Sequence, residues 1–144
     1  MTGFLLDTNV PSELTRIKSN RGVEEWLNAA DDELLFISVV TLGEMLKGVA
    51  LLPQGKRREV LRQWLDYTLR PWFSGRILPV TEEVVSRWGV LAAECQLKGK
   101  GLSMADGLIA ATALEHDLTV VTHNVRDFAD LGVPLLDPFS ASGM

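Results

Sequence analysis

Short apolar runs alternate with longer stretches of helical period from one end of the chain to the other, and this alternation narrows the fold more than any other feature. It implies strand–helix–strand crossovers, and hence a mainly parallel sheet in an α/β domain. The pattern predicts strands at Phe4–Asp7, Leu34–Ile37, Arg76–Val80 and Thr119–Thr122, with a fifth near Pro134–Leu136 on an edge, where a proline is tolerated. Helices are predicted at Pro11–Ile17, Gly22–Ala29, Thr41–Leu51, Lys56–Phe73, Thr81–Leu97 and Met104–Glu115. Pro53, Gly55, Gly99 and Gly101 punctuate them as turn residues. A chain of 144 residues makes one domain with a core of its own, here 1–139. The closing Ser140–Met144 lacks packing residues and is expected to be a loose tail.

Several function classes are excluded early. The single cysteine, Cys95, forms no intramolecular bridge and has no histidine near it in sequence, so it reads as an ordinary helix residue in a reducing compartment. The longest uncharged apolar run, LLFISVVTLG, has ten residues, well short of the roughly 18–20 that span a bilayer. A soluble, cytoplasmic protein without membrane contact is expected. Net charge is −5, which argues against nucleic-acid binding through global charge alone. Its distribution is more informative: residues 47–76 carry +5 between two flanking segments of −5 each. This basic segment is either a solvated helix face or a phosphate-contacting surface, with Lys47, Arg57, Arg58 and Arg62 the candidates for backbone contacts.

The stretch FLLDTN, residues 4–9, ends a buried-type strand on a carboxylate. Burying an unpaired charge costs several kcal/mol, on the order given for ions taken out of water. Asp7 therefore belongs at a crevice mouth, and the carboxyl ends of parallel strands are where open sheets bind ligands. Other oxygens reach equivalent positions. Glu44 projects from the helix after the second predicted strand, on a different face from the stripe of Leu42, Met45, Leu46 and Val49. Asp106 lies in the first turn of an alanine-rich helix that feeds TVVT, and Asn124 and Asp127 follow that strand.

Each of these has a plainer explanation. Thr41 to Glu44 and Ser103 to Asp106 both fit the capping-box pattern, and Asn124 or Asp127 would serve as turn formers. Asp7 has no such excuse, and the matched positions of the others favour one acidic centre. Clustered carboxylates resist ionisation unless a cation lies between them, and hard oxygen ligands select Mg²⁺ or Mn²⁺. A zinc site is disfavoured, because His116 and His123 lack helical ligand spacing and there is no thiolate pair. His123 reads as a loop residue or as one that faces substrate. Trp64, Leu65, Leu69, Trp72 and Phe73 read as core, or as part of a groove for a partner.

Taken in order, LLDTNVPSE at 5–13, SVVTLGEMLKGVALLPQGKR at 38–57, FSGRILPV at 73–80, MADGLIAATALEHDLTVVTHNVRDF at 104–128 and LLDPF at 135–139 resemble the PIN-domain endoribonucleases, the VapC-type toxins of bacterial toxin–antitoxin modules. The resemblance implies a three-layer α/β/α sandwich around about five parallel strands. It implies that Asp7, Glu44 and Asp106 bind Mg²⁺ or Mn²⁺ and hydrolyse single-stranded RNA, and that the chain works as a homodimer. It also implies a cognate antitoxin whose C-terminal segment wraps the toxin. A fourth acidic position in such proteins falls on Asn124 here, an amide without charge that Asp127 would partly replace. Thr8 and Thr122 would orient carboxylates or water, unless they merely finish strands. Asn9 reads as a helix N-cap, with Pro11 inside the first turn.

Two other classes compete. A non-catalytic module acting by RNA or antitoxin binding would also keep this fold, and Asn124 leaves that open. A phosphoacceptor or aspartate-phosphatase role for Asp7 would want a second Asp where Asn9 stands, and no Gly-rich phosphate loop is present.

Overall fold

The computed structural model describes residues 2–139; the expected tail at 140–144 lies outside the described residues. Five strands form one sheet in the order β3-β2-β1-β4-β5, all parallel: β1 Phe4–Leu6, β2 Leu35–Ser38, β3 Ile77–Leu78, β4 Thr119–Val121 and β5 Leu135–Leu136. The helices are α1 Asn9–Glu13, α2 Arg21–Ala29, α3 Val39–Ala50, α4 Lys56–Trp64, α5 Arg70–Trp72, α6 Glu82–Leu97, α7 Met104–His116 and α8 Val125–Phe128. None is long and apolar enough to cross a membrane.

Successive residues of each strand point to opposite faces, and both faces are covered. Leu6, Leu35, Ile37 and Val121 pack with Val23, Leu27, Met45, Leu65, Leu69 and Phe73 on one side. Leu5 and Val120 pack with Ile109, Ala110, Ala113, Phe128 and Cys95 on the other. The result is the three-layer α/β/α sandwich. Truncating Leu6, fully buried at the centre, to Ala would cost about 2–5 kcal/mol.

The order of strands reverses between β1 and β4. From β1 the chain winds outward through β2 to β3, crosses back to β4 and then winds the other way to β5. The carboxyl ends of β1 and β4 therefore frame the crevice where such sheets take ligands. Asp7 leaves β1 there, with its N–H still donating to the Val121 carbonyl at 2.9 Å.

Where local structure departs from the pattern, the reason is visible. The predicted rod Lys56–Phe73 is helical but carries a π-helical segment at Leu65–Leu69. Leu65, Leu69 and Phe73 are all buried in the core, and the wider turn lies just before Pro71, whose ring would meet a carbonyl four residues back in a regular helix. Trp64 and Trp72 are half-buried against the same cluster, which makes this segment part of the core. β3 is only two residues long, because Pro79 follows it and Arg76 turns its guanidinium to the carbonyls of Asp32, Leu35 and Trp72. Helix α3 is capped by Ser38, whose hydroxyl accepts the Val40 N–H at 3.0 Å, not by Thr41. Thr41 is instead fully buried, and its hydroxyl has no hydrogen-bond partner among the described residues. The four-residue helix α8 is too short to write a helical period into the sequence.

Candidate active site

Asp7 is 5% exposed and accepts three hydrogen bonds. Its Oδ1 takes the Thr8 N–H at 2.8 Å, and its Oδ2 takes the Thr122 hydroxyl at 2.8 Å and the Asn9 Nδ2–H at 3.2 Å. Burial nonetheless pushes its pKa above the usual carboxylate range; the bonds from Thr122, Thr8 and Asn9 oppose this, and the charge of Glu44 adds to it. Thr122 does more than finish a strand. Its buried hydroxyl donates to Asp7 and accepts both the Asn124 N–H at 2.9 Å and Asn9 Nδ2–H at 3.3 Å.

Glu44 stands exposed on α3, where Oε1 accepts the Thr8 hydroxyl at 2.5 Å. With the helix capped by Ser38, the capping-box explanation for Glu44 falls away. Asp106 begins α7, its N–H bonded to Ser103 Oγ at 3.1 Å, so the predicted cap at Ser103 is present. The Asp106 side chain is half-buried and its pKa is raised to about 6: burial dominates, the charge of Asp7 follows, and Asp127 and Glu44 add smaller increments against the Ser103 hydrogen bond. Four carboxylates from four segments thus share one electrostatic field.

No lysine or arginine forms an ion pair with Asp7, Glu44, Asp106 or Asp127 among the described residues. Nor do three His, Cys, Asp or Glu side chains among them close into a metal cage. This open, all-oxygen set fits a hydrated Mg²⁺ or Mn²⁺, which keeps several waters and takes only one or two carboxylates directly. It offers zinc no thiolate, since Cys95 lies on α6 with its side chain buried in the core.

Asn124 is exposed, and only its backbone N–H joins the network, through Thr122. Asp127, also exposed, is the residue whose charge reaches Asp106. Asn9 is not the N-cap; Thr8 occupies that position, and Asn9 instead braces Asp7 and accepts the His123 N–H at 3.1 Å through Oδ1. No local pattern distinguishes that role from capping, because the partners lie 113 and 114 residues away.

The basic candidates divide. Arg57 lines a groove of about 240 Å³ with Thr8, Glu44, Gly48 and Trp64. Arg58 and Arg62 line a neighbouring cleft with Glu59, and Arg62 is held by Asp66 at 3.2 Å. Lys47 is exposed on α3, one turn beyond Glu44.

A parallel sheet in this strand order, with acidic residues gathered at the carboxyl ends of β1 and β4, defines a class: the chain belongs to the PIN-domain family, whose model matches residues 4–134. It is similar to toxin FitB of Neisseria gonorrhoeae (strain ATCC 700825 / FA 1090), 40% identical over 136 residues that cover 94% of this chain and 98% of FitB. It is 36% identical over 136 residues to VapC ribonuclease Y4jK of Sinorhizobium fredii (strain NBRC 101917 / NGR234), covering 94% and 97% of the two chains. Among solved structures, FitAcB from Neisseria gonorrhoeae superposes with a TM-score of 0.89 at 40% identity, over 94% of this chain and 98% of that one.

Proposed function

We propose that the chain is the toxin of a toxin–antitoxin module, a Mg²⁺- or Mn²⁺-dependent endoribonuclease that hydrolyses phosphodiester bonds of single-stranded RNA. The observation that carries this reading is the convergence of Asp7, Glu44 and Asp106 from separate segments at one crevice, with no cation of the protein paired to them among the described residues. Relatives named a toxin and a ribonuclease support it.

Asp7, Asp106 and Glu44 would hold the divalent ion. When bound, it supplies activation of water and neutralisation of the scissile phosphate. Thr8, Asn9 and Thr122 fix the Asp7 carboxylate in one orientation, and Thr8 fixes Glu44 to the same point. Asp127 takes the fourth acidic role in place of Asn124, on the strength of its charge at Asp106. Lys47, Arg57, Arg58 and Arg62 hold flanking phosphates. An antitoxin would silence the site, and the exposed Val85, Val90 and Leu97 of α6 suit a homodimer.

The test is cleavage of mixed single-stranded RNA by the antitoxin-free chain with Mg²⁺, Mn²⁺ or EDTA, beside Asp7→Asn. Cleavage that requires metal and disappears in the variant is expected. A folded, metal-supplied chain that binds RNA and cuts none, with variant and wild type alike, would make it a binding module.

A further inference from the structure

A second depression, of about 440 Å³, borders the acidic centre and is lined by Asn9, Glu13, Arg16, Asn20, His123 and Phe139. Its polar wall is rigidly built. Glu13 is only 6% exposed; Oε2 accepts the Asn20 N–H at 2.7 Å and Oε1 accepts the Arg16 guanidinium at 3.3 Å. Asn20 in turn caps α2 through its side chain, at 3.2 Å from Val23 N. The end of α1 is thereby tied to the start of α2, and Arg16 is held there with its side chain still 68% exposed.

The opposite wall is aromatic. The His123 imidazole lies on the Phe139 ring with centroids 4.4 Å apart and planes tilted by 37°. Nδ1 of His123 is 3.4 Å from Asp137 Oδ2, and the Phe139 N–H donates to Asp137 Oδ1 at 2.9 Å. Asp137 thus anchors both rings, while the His123 side chain stays 57% exposed. The floor is Asn9, which touches Asp7 with one end of its amide and the His123 backbone with the other. One side chain spans the distance from the acidic centre to the aromatic wall.

We propose that this cleft is a nucleobase subsite, which seats the base next to the scissile phosphate of single-stranded RNA on His123, backed by Phe139. The proposal rests on the reading of the chain as an RNA nuclease and names where its substrate is gripped. A flat ring supported from behind and a direct link through Asn9 to the Asp7 carboxylate match what an unstacked nucleotide offers beside its scissile bond, an open π-face. Because stacking accepts any base, the subsite grips the strand and leaves sequence choice to other groups.

The test uses the full chain with Asp7→Asn, so that RNA is bound without being cut. Affinities are measured for a set of single-stranded oligonucleotides, each abasic at one position. One abasic position is expected to weaken binding roughly fivefold or more, the scale of one stacked base. In the added presence of His123→Ala that penalty disappears while the others persist, and His123→Phe, which keeps a flat ring, restores it. Equal abasic profiles for His123 and His123→Ala overturn the subsite, as does a chain that binds no oligonucleotide. If the abasic coupling is present but the chain with Asp7 cuts nothing, the nuclease reading fails and the subsite stands.

Discussion

Asp7 carries a burial penalty that its hydrogen bonds from Thr122, Thr8 and Asn9 oppose and that the proposed divalent cation would offset further. Replacing it with Asn removes the buried charge, so the expected result is loss of cleavage without loss of folding, read by RNA cleavage beside thermal melting. Thr122→Val keeps the volume but removes the donor to Asp7 and the acceptor of two N–H groups, and should cost about 1–3 kcal/mol in denaturant unfolding together with activity. Thr41→Val acts in the opposite sense. It deletes a buried hydroxyl without a partner among the described residues, so the variant should melt higher than the parent. Asp106 supplies a pH signature. Its pKa is raised from 3.8 to about 6 in the folded chain, so between those values the folded state holds the proton more tightly than the unfolded state. The stabilisation this gives is full below about pH 3.8 and is lost as pH rises through about 6. Without metal, the melting temperature should therefore fall more steeply between about pH 4 and about pH 6 in the parent than in Asp106→Asn.

At the scale of elements, α6 and α7 meet at Gly107, where a Cβ would stand 2.6 Å from Trp88 Cδ1. Gly107→Ala must push α6 outward or shift α7 and with it Asp106, so destabilisation of about 1–3 kcal/mol is expected. Trp88→Leu in the same chain should recover most of it, measured as a double-mutant cycle. Strands and helices were legible because a parallel sheet covered on both faces writes apolar runs into the sequence, as at Phe4–Leu6 and Leu35–Ile37. Asp7 was legible by contrast with such a run. The π-helical segment was not, since Leu65, Leu69 and Phe73 keep an ordinary helical spacing and only the packing reveals the extra width. The roles of Asn9 and His123 were hidden for another reason: their partners, Thr122, Asp137 and Phe139, come from segments that only the folded sheet edge brings alongside.

Across the whole molecule, a net charge of −5 coexists with a basic flank, so RNA binding should depend on where charge sits. Neutralising Lys47, Arg57, Arg58 and Arg62 together should flatten the salt dependence of binding by about 0.7 in log–log slope for each phosphate that is no longer neutralised. Arg57→Gln should account for more of this than Arg62→Gln, because Asp66 already holds Arg62. The proposed metal would act on the same scale. At about one hundred times its dissociation constant, Mg²⁺ should add about 2.7 kcal/mol to folding at neutral pH, and EDTA should remove it; Asp106→Asn should blunt the effect.

The position of β1 has a consequence in time. β1 lies in the middle of the sheet, and the Asp7 N–H finds its acceptor on Val121 and the Asp7 carboxylate its hydroxyl donor on Thr122, both much later in the chain. A nascent chain that has emerged no further than α7 holds Asp7, Glu44 and Asp106 but has no β4 to seat the first of them. The acidic centre is therefore completed only once β4 has been made, and a fragment that stops at α7 carries all three carboxylates without the Val121 and Thr122 partners of Asp7.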